Sequence, residues 1–406
     1  MMINSTSTVI DAGVRSDWKN RIAEIIPPNS YFSNDITHIV DRIRSGAPLS
    51  KDDGIQLFNH PMLSELAILA NASKVARFGD EVYYNRNLHV NQTNICTLAC
   101  RFCAFRRGQK SDDAYALSIE SYIERIQPYA EHIDEIHTVG GLHPDWDVDY
   151  YSELFKAVKT EFPDLHIKAL TAVEIKHLSI ISQMSVQDVL RTLHTAGLDS
   201  IPGGGAEILD DSVRDIICRG KESSDEYLVI HQTAHELNIP SNCTMLFGTI
   251  ESVEQRISHL IQLRDLQTKT NGFQCFVPYP YLRDNSRLPE AQLSSGHETL
   301  RMIAISRLML DNIPHIKAYR MNIGEKLSEL ALVHGADDID GTVIHEEIMQ
   351  SAGSHTPLGN NRRSIIEKIE STNGIPVLRN SIYTQFTYDD RDDDRRSIRL
   401  PIKMNG

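Results

Sequence analysis

The sequence predicts an α/β protein: a (β/α)8 TIM-type barrel with an N-terminal helical extension and C-terminal helices ending in a tail. Three observations predict it. Eight short apolar or β-branched runs are separated by longer stretches with helical spacing, the alternation that gives a parallel sheet. Eight is the strand number of a closed barrel, and the runs end in Gly-, Pro- or Thr-rich turns of the kind that gather at one rim of such a barrel. A chain of 406 residues is long enough for one domain of this type with a sizeable core.

Taken in order, residues 1–85 precede the barrel, and the apolar pattern over 55–76 predicts helices packed against it. The barrel occupies 86–345, with strands expected at 88–91, 135–139, 166–169, 199–201, 242–245, 273–277, 315–318 and around 337–339. Val253, Ile257, Leu260 and Ile261 fall at helical offsets, so 253–267 reads as a helix with one buried stripe, and 301–311 reads likewise. The turns Gly140-Gly141, Gly203-Gly204-Gly205 and Gly248-Thr249 follow strand ends. Residues 346–406 form a C-terminal helical segment and tail, in which the mixed run DDRDDDRRS at 389–397 reads as solvated chain.

Charge and composition narrow the function. A formal net charge of −14 disfavours a phosphate-tracking surface, so nucleic acid is set aside as a partner. The first fifteen residues lack a basic stretch followed by an apolar run, and no segment has the length of a membrane span; the protein is expected in the cytoplasm, off the membrane. Six cysteines are too few for a disulfide scaffold. Cys96, Cys100 and Cys103 crowd together while Cys218, Cys243 and Cys275 are scattered, so only the crowd requires explanation.

The segment NICTLACRFCAFRRG (94–108) spaces the three cysteines by three and then two residues, with Phe102 just before the last. A [4Fe–4S] cubane held by three thiolates keeps one iron open for an outside ligand with amino and carboxylate groups, which S-adenosylmethionine possesses. Zinc is the bland alternative, but it prefers four ligands and no second pair lies nearby.

The C-x3-C-x2-C pattern resembles the radical S-adenosylmethionine superfamily. Further strings resemble its menaquinone and deazaflavin branch, most closely the aminofutalosine synthase family: VNQTNICTLACRFCAF (90–105), VGGLHPDW (139–146), KALTAVEI (168–175), PGGGAEI (202–208), RLMLDNIPHIKAY (307–319) and HGADDIDGT (334–342). The resemblance covers roughly 50–385. It implies that a 5′-deoxyadenosyl radical adds to the double bond of 3-[(1-carboxyvinyl)oxy]benzoate. Aryl migration and loss of the carboxylate then give 6-amino-6-deoxyfutalosine, with S-adenosylmethionine consumed as co-substrate. The implied partners are this aromatic enol ether and a flavodoxin or ferredoxin as electron donor; the oligomeric state stays open.

Around the cluster, Gly140 and Gly141 resemble the family's glycine motif, whose bare backbone lets the methionyl ammonium approach. Glu174 and Glu207, at strand ends, are candidates for the ribose hydroxyls or the ammonium, and Arg214 for the methionyl carboxylate. His89, His137 and His143 sit near predicted rim positions and are candidates for proton transfer. Tyr279, Tyr281 and Arg283 are placed to shape an aromatic acid site. Thr249 stands where the branch often has histidine, and FVPYPYLR (276–283) also departs from the branch pattern; both are expected near substrate.

Three rival readings remain. A dehypoxanthine futalosine cyclase shares the cysteines and PGGGAEI but abstracts hydrogen; residues 140–144 and 171–175 favour the synthase. The others are a deazaflavin-synthase-like enzyme acting on tyrosine and a non-enzymatic iron–sulfur electron carrier, although a carrier usually completes its cluster with four protein ligands.

Overall fold

The computed structural model describes residues 13–359 and 361–388; the charged run at 389–397 lies outside the described residues. The described strands are β1 (Glu81–Asn85), β2 (Asn87–His89), β3 (Glu135–Thr138), β4 (His166–Ala169), β5 (Ser241–Phe247), β6 (Phe273–Pro280), β7 (His315–Ile316), β8 (Asp338–Gly341), β9 (Ile375–Arg379) and β10 (Phe386–Tyr388). Parallel ladders join β2-β3-β4, β5-β6-β7 and β8-β1-β9, and β10 runs antiparallel along β9. Single parallel bridges, Lys168 to Ser200, Ile201 to Ser241 and Lys317 to Asp338, lie between the ladders.

The α/β class and the parallel pairing agree with the sequence. The hydrogen bonds form three sheets, however, and not one closed eight-stranded sheet. The strand expected at 199–201 shrinks to the bridge residues Ser200 and Ile201. Pro202, which has no N–H to donate, follows directly, and Gly203 then turns the chain away at φ +74°. The C-terminal stretch expected to be helical carries the helix Arg362–Glu370 but also β9 and β10, which cover the outer edge of β1.

The helices follow their sequence signals with one exception. Val253–Thr270 begins in a capping box, Ser252 with Gln255, and buries Ile257, Leu260, Leu263 and Leu266 as a stripe. Gly296–Met309 is buried on every side from Thr299 onward instead of along one stripe, because the N-terminal helix Leu63–Phe78 packs over its outer face. Arg301 on that helix donates to the carbonyls of Leu57, Phe58 and His60, satisfying the end of the helix Lys51–Asn59. Among the described residues no helix is long and apolar enough to cross a membrane.

Strand register decides what faces inward. Leu88, Ile136 and Ile167 stand in one row and join the apolar core with the helices. One residue further on, His89, His137 and Lys168 form the next row, on the opposite face of the pleat. The space enclosed by the strands is therefore lined with polar side chains.

Candidate active site

The three cysteines lie in the long connection from β2 to β3 and line one cavity of about 280 Å³. The loop is held by its backbone: Cys96 N–H donates to the Arg107 carbonyl (3.0 Å), Thr97 N–H to Leu142 (3.0 Å) and Arg101 N–H to Ile217 (2.7 Å). From outside, Arg287 Nη2 donates to the carbonyls of Ala99 (3.0 Å) and Cys100 (3.2 Å). Burial pushes the thiols of Cys100 and Cys103 up, so a metal must displace their protons. Among the described residues no three His, Cys, Asp or Glu side chains converge as they would around a single ion. A cubane does not ask this of them, because each thiolate binds its own iron; three soft donors spread around one cavity wall fit that group.

The glycine pair is built into the same wall. Gly141 N–H donates to the Thr93 carbonyl (2.8 Å), and a Cβ at Gly141 would stand 2.1 Å from the Ile95 carbonyl oxygen. Close approach of two chain segments thus requires glycine there, whatever the ligand. Glu174 is buried at the third position of the helix Ala172–Ile181 and lines the cavity. It accepts hydrogen bonds from Gly140 N–H (3.1 Å), Thr171 N–H (2.7 Å) and Gln92 Nε2 (3.1 Å), fastening the glycine turn to that helix. Glu207 also lines the cavity, with Oε1 2.5 Å from Lys221 Nζ, whose ammonium in turn lies over the Phe102 ring at 5.8 Å.

A second chamber of about 90 Å³ adjoins the first and shares His137, Val139, Pro202, Tyr279, Ile348 and Met349 with it. His89 and His137 stack there with ring centroids 4.4 Å apart. Burial lowers His89 to about 4 and His137 well below the usual imidazole range, so both are neutral and weak bases near pH 7. Ion pairs complete the wall: Lys168 with Glu135 at 2.7 Å and Lys317 with Asp340 at 2.8 Å.

Five predicted positions fall outside both spaces: Gly141, which stands behind the Gly140 turn against Ile95, and four others. Arg214, expected at a methionyl carboxylate, is buried and donates to the carbonyls of Gly205, Ala206 and Glu222, clamping the 205–208 turn from behind. His143 packs behind Gly141, its ring stacked on Trp146 at 4.4 Å and its Nδ1 accepting from Asp145 N–H. Thr249 donates to Glu251 Oε2 (2.6 Å), which itself holds Arg256 (2.7 Å to Oε1), a buried brace under the β5 turn. Arg283 is exposed on the loop after β6, so it does not join Tyr279 and Tyr281, which do line the cavity. Sequence reasoning missed Lys168, Glu135, Lys317, Asp340, Tyr319 and Glu346. The available signal was charge at alternate positions in short apolar strands, where an inward-facing row must be polar.

Two family models match the chain: Radical SAM superfamily over residues 90–263 and CofH/MqnC C-terminal region over 270–391. The chain is 40% identical over 361 residues to an aminodeoxyfutalosine synthase of Thermus thermophilus, covering 87% of this chain and 96% of the relative. It is 36% identical to a cyclic dehypoxanthine futalosine synthase of Streptomyces coelicolor, covering 88% and 90%. It is also 36% identical to a 5-amino-6-(D-ribitylamino)uracil–L-tyrosine 4-hydroxyphenyl transferase of Methanothermobacter thermautotrophicus, covering 83% and 94%. Among solved structures, methylornithine synthase PylB shares the fold at a TM-score of 0.67 and 19% identity, over 83% of this chain and 96% of that one. The chain belongs to the radical S-adenosylmethionine superfamily, carries the CofH/MqnC type of C-terminal region, and is an enzyme working with a [4Fe–4S] cluster and S-adenosylmethionine.

Proposed function

We propose that the enzyme joins the adenosyl group to 3-[(1-carboxyvinyl)oxy]benzoate and releases the vinyl carboxylate, giving 6-amino-6-deoxyfutalosine. One observation carries this reading above all: the 40% identity to an aminodeoxyfutalosine synthase runs through 87% of this chain, including the C-terminal region beyond the cysteines.

Bound in the larger cavity, the cluster and S-adenosylmethionine supply a 5′-deoxyadenosyl radical. The chain's own residues set where it acts. Cys96, Cys100 and Cys103 hold the cluster, and the Gly140 turn, fixed by Glu174, offers backbone groups to the methionyl end. Glu207 keeps Oε2 for a ribose hydroxyl while Oε1 pairs with Lys221. Leu246, Tyr279 and Tyr281 line the same cavity, where they exclude water and orient an aryl ring. In this reading a flavodoxin or ferredoxin delivers the electron.

The test is anaerobic reconstitution followed by incubation with reductant, S-adenosylmethionine and the enolpyruvyl benzoate. An adenosylated product, detected by mass and formed with methionine, is expected. Stoichiometric free 5′-deoxyadenosine with that substrate would overturn the reading in favour of hydrogen abstraction, the chemistry of the cyclase.

A further inference from the structure

The smaller chamber is too small for a whole substrate. At about 90 Å³ it falls well below the roughly 300–1,000 Å³ of a pocket that takes a whole small molecule, and suits a carboxyl group and the ring edge that bears it. The remainder of a bound molecule would extend past His137 and Tyr279 into the larger cavity.

Its walls offer unused hydrogen-bond donors. Tyr279 and Tyr319 meet edge to face, with ring centroids 5.5 Å apart, and both line the chamber. Neither hydroxyl is hydrogen-bonded to another described residue. The Lys317 ammonium makes one short contact, 2.8 Å to Asp340 Oδ1, and a longer one of 3.7 Å to Asp338. An ammonium has three donors.

The charges are already balanced. Lys168 offsets Glu135, while Lys317 and Arg379 offset Asp340 and Asp338. The paired histidines are neutral. The remaining carboxyl, Glu346, accepts the N–H groups of Ile348 (3.2 Å) and Met349 (2.5 Å) and has Glu347 and Tyr319 as charged or titratable neighbours; burial raises it to about 7. Two acceptors, Asp340 Oδ2 and Asn242 Oδ1, are buried with no hydrogen-bond partner among the described residues. A second carboxylate beside an unpartnered carboxylate oxygen is tolerated only with a proton between them.

We propose, resting on the reaction assigned above, that this chamber seats the benzoate carboxyl of the substrate, that Tyr279, Tyr319 and Lys317 donate to it, and that one proton from solvent enters with it. The proton is held on Glu346 or shared with the ligand carboxyl, so that filling the chamber adds no net charge.

The experiment is isothermal titration calorimetry of the reconstituted holoenzyme with S-adenosylmethionine and no reductant, using 3-methoxybenzoate as probe. At pH 8, where Glu346 is mostly ionised before binding, about one proton should be taken up per ligand, read from the dependence of enthalpy on buffer ionisation heat, and Kd should rise between pH 7 and 9, approaching about tenfold per pH unit above pH 8. Tyr319→Phe and Tyr279→Phe should each raise Kd by about tenfold, with circular dichroism and S-adenosylmethionine affinity unchanged, and 3-methoxybenzamide should not compete. No proton uptake, or an unmoved Kd in both variants, overturns the proposal. If the acid binds as described and no adenosyl adduct forms, the assigned reaction fails and the chamber stands. If the wild type forms the adduct and KM is unmoved in both phenylalanine variants, the chamber fails and the reaction stands.

Discussion

Gly141 and Glu174 show how much of the cysteine loop's geometry rests on groups that do not bind iron. An added methyl at Gly141 meets the Ile95 carbonyl at 2.1 Å, one residue before Cys96, and backbone cannot yield as a flexible side chain does. Gly141→Ala should therefore lose most of its iron after reconstitution while circular dichroism stays that of the wild type; full iron content would show that the loop relaxes. Glu174→Ala removes the acceptor shared by Gly140, Thr171 and Gln92, leaving buried donors unpaired. A loss of about 2–3 kcal/mol is expected in urea unfolding, together with weaker S-adenosylmethionine binding from a loosened glycine turn. The cysteines themselves were legible because their spacing leaves a coordination vacancy. Arg214, His143, Thr249 and Arg283 were misplaced because residue type and sequence position do not say which way a loop side chain turns, and three of the four satisfy local backbone or carboxylate groups instead.

At the scale of elements, legibility tracked whether a segment carries its own signal. The helix Val253–Thr270 has both an apolar stripe and a capping box, and it was read to within three residues at its end; Ser252→Ala should cost about 1 kcal/mol in unfolding. The strand β1 was missed, although EVYY has the β-branched and aromatic content of a strand, because it follows the helix Leu63–Phe78 with only two residues between. The strands β9 and β10 were missed because their pairing is a long-range event: β9 lies on β1 from nearly 300 positions away. That docking brings Arg379 Nε to 2.6 Å from Asp338 Oδ2, both fully buried, with the Tyr383 hydroxyl donating to the same oxygen at 2.7 Å. Arg379→Met should cost about 3–5 kcal/mol in denaturant unfolding, since it leaves a buried carboxylate short of its cation. A change under about 1 kcal/mol would mean that Lys317 alone neutralises Asp338.

For the whole molecule, the buried neutral histidines make a statement about acid. Burial pushes His259 down to about 3, His89 and His235 to about 4, and His137 and His231 well below their ordinary value. His259 shows why protonation is resisted: Nδ1 accepts the Leu209 N–H (3.0 Å) and Nε2 donates to the Thr244 carbonyl (2.9 Å), so a second ring proton breaks the first bond. Between their folded values and the ordinary one near 6.5, the unfolded chain binds protons that the folded chain refuses, so stability falls as pH drops through that window and levels off below about 3–4. Glu346, raised to about 7, and Glu174 and Glu222, also raised by burial, work the other way, gaining stability as pH falls, but they are three carboxyls against six histidines once His166, likewise lowered to about 4, is counted. The depressed carboxylates Glu135 and Asp338 act lower, their contribution being lost only beneath the ordinary carboxylate range. Between pH 7 and 5 each fully buried histidine is worth up to about 2 kcal/mol. Urea unfolding at pH 8, 7, 6 and 5 should show stability declining already between 7 and 5, with a shallower decline in His259→Gln, whose amide keeps a donor and an acceptor without titrating. A stability that holds flat to pH 5 and drops only below it would assign the acid sensitivity to the carboxylates and not to the histidines.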